Sequence, residues 1–471
     1  MNRIAKHLLY HGKQIEKQNM VWNMVGSFVY AFASMVLSFL VMRIAGEDAG
    51  GIFAVGFSTF GQQMFTLAYF GLRPFQITDG GPEQGGYSFG EYRFHRKLTS
   101  GAALLAAAFF AVWMAGSGAY GISKSVSVFL LAVYKIIDGY ADVYESEFQR
   151  RGSLYLTGKS NTFRTILSVS VFLAVLAGTR ALPAACLAAA AAQLLGLWIF
   201  AVSAMKELEA ASEVRGAEAL EARGAEASEV RNTEASVSDC SRGRRSGSMK
   251  RLFSQSGLLF LSVFLDFYIF SAAKYAIDGH LNDAASGYFN LIFMPTSVIY
   301  LVANFVIRPF LTKMTTCWNR GELEEFGGIL KKIGLIIGGL TVLAVGGTVL
   351  LGRFVLSVME LLLGQGYEGS LTVYLPAFVL VVLGGGIYAF SSLLYYSLVI
   401  MRRQKQIFGV YVVVAGTAAL LAPVMVERFR IPGAALAYGL FMSMQVLGFG
   451  FWVLRGFCGE DRTKRPGKEA A

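Results

Sequence analysis

At 471 residues, 55% hydrophobic and 15% charged, with a mean hydropathy of +0.51, the chain is more apolar than the roughly 45–50% usual for soluble domains. That excludes a water-soluble fold and places the protein in a bilayer. Its net charge of +11 follows membrane topology rather than a nucleic-acid footprint, and no nucleic-acid partner is expected.

A helix needs ~20 mostly apolar residues to cross ~30 Å of hydrocarbon. Twelve windows meet this: 20–42, 52–73, 98–115, 122–146, 162–179, 183–205, 252–273, 288–311, 328–350, 371–399, 407–426 and 433–455. Sets of ten-residue alternating strands are missing, which argues against a β-barrel. The expected fold is an all-α integral membrane protein of about twelve transmembrane helices. Residues 1–18 lack a continuous apolar core, so no cleavable signal peptide is expected and the first helix stays as an anchor. With the N-terminus inside, 34 of the 42 lysines and arginines fall in or beside cytoplasmic segments. Seven lie beside external ones (Arg43, Lys124, Arg180, Lys274, Arg353, Arg428, Arg430), and Lys135 lies within a helix. This positive-inside bias puts both termini in the cytoplasm of a cell-membrane protein.

Residues 1–19 mix Arg3, Lys6, Lys13 and Lys17 with Ile4, Leu8, Leu9 and Ile15. They read equally as a short interfacial amphipathic helix or as a loose basic tail. Residues 51–75 run from Gly51-x-Phe53 to Arg73-Pro74-Phe75, and residues 287–310 repeat the pattern from Gly287-x-Phe289 to Arg308-Pro309-Phe310. The two copies are 236 residues apart at the glycine and 235 at the arginine, half the chain. A period of half the length predicts two pseudo-symmetric six-helix lobes, at 20–205 and 251–456, as transporters often show. An even number of helices per lobe makes the repeats parallel. Arg73 and Arg308 are read either as positive-inside anchors or as paired guanidinium forks for a phosphate. Arg43 breaks the charge rule and suggests a similar role outside.

The fourth window is the most charged. Lys135, Asp138, Asp142 and Glu145 are spaced 3, 4 and 3 apart, which aligns them on one helical face. Charges at membrane depth cost at least ~2.5–3.5 kcal/mol each and mark function by default; an internal Lys135–Asp138 pair is the plainer explanation. Glu145 and Glu147 are expected near the cytoplasmic end and solvated. The Gly152 to Ser160 turn imitates a phosphate-binding loop, but it has five residues between its glycines instead of four and no preceding strand. Arg150, Arg151, Lys159 and Arg164 are instead expected to hold this loop against anionic head groups.

Residues 206–250 are the only long polar segment and contain the octamers EVRGAEAL, EARGAEAS and EVRNTEAS at 213–236. An eight-residue period keeps no helical face apolar, so a flexible cytoplasmic linker is expected rather than the alternative, a regulatory docking site. In the seventh window Asp266 sits near mid-depth, and Lys274 is expected to snorkel outward. Asn23, Gln62, Gln63, Gln193, Asn290, Asn304 and Gln445 are expected to bond between helices. Four scattered cysteines (Cys186, Cys240, Cys317, Cys458) indicate neither disulfides nor a thiolate metal site. Residues 457–471 form a cytoplasmic tail.

Several motifs together resemble the polysaccharide and oligosaccharide-lipid flippases of the multidrug/oligosaccharidyl-lipid/polysaccharide exporter superfamily. They are Arg43-x-x-Gly46-x-x-x-x-Gly51-x-Phe53, Gly71-x-Arg73, Gln149-Arg150-Arg151-Gly152 and Leu363-Gly364-x-Gly366-Tyr367. Their order and spacing carry the likeness over nearly all twelve spans. The long linker departs from the family's compact connection, and the two extra C-terminal spans of peptidoglycan-precursor flippases are missing.

The resemblance implies a non-enzymatic carrier, without cofactor or metal, that moves an undecaprenyl-pyrophosphate-linked oligosaccharide to the outer leaflet through a cavity between the lobes. On it, Arg43, Arg73, Lys135 and Arg308 would meet the pyrophosphate, and Asp138, Asp142 and Asp266 would serve a coupling ion or the sugars. Membrane lipids are implied partners, as are a glycan polymerase or glycosyltransferases. A cation or drug antiporter of the same superfamily is the alternative, favoured by the acidic fourth helix. A membrane glycosyltransferase lacks a DxD or HExxH motif and an external domain; a non-transporting scaffold would need a packed centre.

Overall fold

A computed structural model describes residues 7–10, 12, 14–79, 86–211 and 241–463. The octamers at 213–236, Cys240, residues 1–6, 11 and 13 of the 1–19 segment, and 464–471 lie outside the described residues, as does the side chain of Cys458. No strand occurs among the described residues, so the fold is all-helical as expected. In chain order the helices are α1 (Ile15–Ala45), α2 (Glu47–Phe53), α3 (Gly61–Tyr69), α4 (Arg73–Thr78), α5 (Phe89–Gly116), α6 (Ile122–Arg150), α7 (Leu154–Thr179) and α8 (Leu182–Gly196). There follow α9 (Ser241–His280), α10 (Asp283–Phe293), α11 (Pro295–Ile307), α12 (Leu311–Arg320), α13 (Leu323–Leu363), α14 (Leu375–Ile400) and α15 (Gln404–Thr463).

Among the described residues, nine helical stretches are long and apolar enough to cross a membrane. Twelve passes are compatible with this. The second expected pass is divided into α2, a π-helical turn over Ala54–Phe60, and α3. The fourth, α6, is too charged for a composition test. The last two are run together in α15, whose helical path breaks at Arg430 (φ 53, ψ −135) just before Pro432. Large side chains such as Leu350 (82% exposed), Val342 (74%) and Leu105 (73%) face outward. Exposed apolar surface on that scale needs a hydrocarbon solvent, and the chain is a multi-pass membrane protein.

The chain divides into two units, Met1–Leu37 with Gly56–Phe260, and Ser38–Val55 with Leu261–Ala471. In the first, Leu72, Tyr92, Phe148, Tyr155 and Leu197 pack one core. The N-terminal segment is fastened there: the Lys159 ammonium donates to the Leu8 carbonyl at 2.7 Å and the Tyr10 amide to the Tyr155 hydroxyl at 3.0 Å. In the second, Phe289, Phe293, Phe378, Tyr438, Phe441 and Phe449 form a continuous core.

The repeated Arg-Pro-Phe motifs are built differently. In the first copy the pass stops at Tyr69, because Phe70 (φ 52) and Gly71 (φ 65) turn left-handed; Arg73 opens the separate helix α4. In the second, Pro295 divides α10 from α11 and Arg308 begins a 3-10 turn leading into α12. Pro cannot supply the interior amide a helix needs, so the same tripeptide serves as a start in one copy and a joint in the other.

Candidate functional site

The charged face of α6 is buried in the first unit, and its carboxylates are all occupied. Asp138 accepts from the Arg164 guanidinium at 2.6 Å, the Tyr30 hydroxyl at 3.1 Å and the Gln193 amide at 3.4 Å. Asp142 is gripped from two sides, by Arg73 at 2.8 Å and Arg96 at 2.9 Å, with the Ser146 hydroxyl at 3.2 Å. Glu145 forms the second ion pair of Arg164 at 3.0 Å. Two residues on, Glu147 receives Arg150 at 2.7 Å, Arg151 at 2.8 Å and the Gln76 amide at 3.2 Å. Ionised groups removed from water persist only when paired and hydrogen-bonded. The 3-4-3 spacing delivers Asp138, Asp142 and Glu145 to one side, and α1, α4, α5, α7 and α8 bring their partners.

Lys135 is arranged differently. It is 3% exposed, yet its ammonium contacts a hydroxyl and an aromatic face. It donates to the Tyr30 oxygen at 2.8 Å, and Tyr30 in turn donates to Asp138, so lysine and aspartate meet through a phenol. The Phe57 ring lies 3.8 Å from the ammonium, a cation–π contact. Phe57 sits in the π-helical turn, an irregularity that helices carry at functional positions. An ammonium has three donors and Tyr30 takes one.

The solvated positions expected for Glu145 and Glu147 are corrected: they are 7% and 0% exposed. Arg164 is likewise corrected from a head-group anchor to a buried bridge, 1% exposed. A loop assignment by hydropathy cannot show that these opposite charges come from different helices and cancel. Arg96, wholly buried and also bonded to the carbonyls of Ala68 and Tyr69, was not singled out from the sequence. It lies outside the apolar window 98–115 and reads there as one of three loop cations.

Arg43, Asp266 and Arg308 belong to the second unit. Arg43 donates to the Leu362 carbonyl at 3.2 Å. Arg308 is exposed at the start of its 3-10 turn. Asp266 accepts from the Tyr388 hydroxyl at 2.9 Å and the Gln445 amide at 3.3 Å, and Ser391 donates to Gln445 at 3.0 Å. These partners are all neutral. Lys274 does not snorkel; it turns onto Asn290 at 3.2 Å and the Phe293 ring at 4.3 Å. Cys317, Glu322 and Glu325 also come together. Glu325 is already paired with Lys313 at 2.8 Å, and both glutamates are exposed.

Solved transporters share this fold. The lipid II flippase MurJ in an inward closed conformation matches with a TM-score of 0.61 at 13% identity, over 93% of this chain and 89% of that one. An inward-facing multidrug resistance MATE family transporter of the MOP superfamily matches with a TM-score of 0.57 at 12% identity, over 94% and 99%. The eukaryotic MATE transporter AtDTX14 matches with 0.55 at 12%, over 93% and 96%. At such identities the likeness is one of fold. No family model and no curated protein matches the sequence.

Proposed function

We propose that the protein is a MOP-superfamily carrier that flips an undecaprenyl-pyrophosphate-linked oligosaccharide from the inner to the outer leaflet of the cell membrane by alternating access. The observation that carries this reading is Lys135, a buried cation held by a phenol and a ring, with donors left for an anion. Arg73 and Arg96, sharing one aspartate, add guanidinium groups in the same unit, and a phosphate could exchange with Asp142 for either fork. Four cations, Arg73, Arg96, Lys135 and Arg164, stand against Asp138, Asp142 and Glu145, an excess that suits an anionic head group. Arg43 and Arg308 are proposed as further pyrophosphate contacts. The enzymes that build or polymerise the glycan are the proposed partners.

The proposal is tested in proteoliposomes that carry a labelled polyprenyl-pyrophosphate oligosaccharide. Wild-type protein should expose the label on the opposite leaflet, and no acceleration over empty vesicles would refute it. A second reading, cation antiport, draws on Asp266. A buried carboxylate whose donors are neutral is a place where a transported cation could pair, so efflux of an organic cation from the same vesicles would favour it.

A further inference from the structure

Connections that topology places on one side of the membrane converge within the second unit. Glu47 comes from the start of α2, Asn282 and Tyr288 from the α9–α10 turn and α10, and Tyr374 from the turn before α14. Phe429 and Arg430 come from the break in α15. Together they line a cavity of about 430 Å³, within the range of small-ligand sites. Each of these segments follows an odd-numbered pass, so alternation puts all four on the face expected to be external. Arg43 and Arg430, two of the cations that break the positive-inside bias, lie on this side.

The lining has a definite chemistry. The Tyr288 and Tyr374 rings stand 6.2 Å apart, tilted by 36°, and Phe429 is 55% exposed. The Tyr288 hydroxyl donates to Glu47 Oε2, which fixes the phenol while the carboxylate keeps further acceptor capacity. Arg430 is held at φ 53, a backbone region that non-glycine residues seldom occupy. Arg430 is among the residues that line the cavity. Aromatic faces beside one carboxylate acceptor and one guanidinium donor match a ligand with apolar C–H faces and a rim of hydroxyls.

We infer that this cavity is a sugar-binding site, taking one polyhydroxylated ring of a glycan. The inference rests on the glycan-lipid reading above and names where the sugar portion is held once it reaches the outer side. The carboxylate would accept ring hydroxyls, the guanidinium would donate to ring or substituent oxygens, and the tyrosines would cover the apolar face.

The test uses full-length protein and soluble oligosaccharides without lipid, neutral and uronic-acid-containing, followed by saturation-transfer NMR and titration. At least one should bind wild type, and Tyr374→Ala and Arg430→Gly should each weaken its Kd about tenfold or more, a change of ~1.4 kcal/mol. Arg430→Gly suits the left-handed backbone, so it decides the matter if Tyr374→Ala fails to fold. Absence of binding across the panel, or equal binding by wild type and Arg430→Gly, overturns the site. Lipid-linked glycan flipping is measured on the same preparations. Flipping without soluble-sugar binding would remove this site and leave the carrier; variant-sensitive binding without flipping would remove the carrier and sustain the site.

Discussion

Gly51 and Gly287, equivalent positions in the two copies of the internal repeat, lie against one another. A Cβ on Gly287 would stand 3.1 Å from the Gly51 nitrogen and 2.8 Å from Met42 Cε, and one on Gly51 would fall on the Asp283 carbonyl. The contact joins α2 to α10 with no side chain between, as small residues allow in membrane helices. The echo visible in the sequence is thus also a packing contact within the second unit.

Gly51→Ala should therefore destabilise the protein by ~1–3 kcal/mol through overpacking, read as a lower Tm by differential scanning fluorimetry. Gly101→Ala, where nothing lies within 4 Å, should leave Tm unchanged or raise it, because alanine is the better helix former.

Arg164 and Lys135 separate structure from function. Arg164→Met strands two buried carboxylates, Asp138 and Glu145, and should cost ~3–5 kcal/mol. Loss of folded protein in size-exclusion profiles would show it, and adding Asp138→Asn and Glu145→Gln should recover part. Lys135→Met removes a desolvated charge and strands no direct carboxylate partner. Tm and membrane abundance should hold or rise while lipid-linked glycan flipping falls to background.

Arg308→Gln changes an exposed side chain. Tm should stay within about 0.5 kcal/mol equivalent, while flipping falls. Unchanged flipping would return Arg308 to the role of a topology anchor.

Asp266→Asn keeps the shape and the Gln445 contact, with the Tyr388 hydroxyl turned from donor to acceptor, but removes the charge. Gradient-driven transport should lose its ion dependence with stability retained. Transport that still follows the imposed sodium or proton gradient would exclude Asp266 from coupling.

The helical class and the charged face of α6 were legible because membrane length and 3.6-residue spacing are local properties. The half-length repeat was legible as a pattern, but Phe70 and Pro295 divide its two copies at different points. Partners were not legible. Nothing local ties Arg164 to Asp138, or Arg96 and Arg73 to Asp142; these pairings exist only once α4, α5 and α7 pack on α6. The same holds for Tyr30, an ordinary aromatic in an apolar window until it lies between Lys135 and Asp138.

The central claim is most directly tested by stopped-flow measurement of labelled polyprenyl-pyrophosphate oligosaccharide crossing between leaflets, with wild type and Lys135→Met reconstituted at equal amounts. The account predicts rapid exchange with wild type and none above protein-free vesicles with Lys135→Met. Equal rates for the two proteins would contradict it.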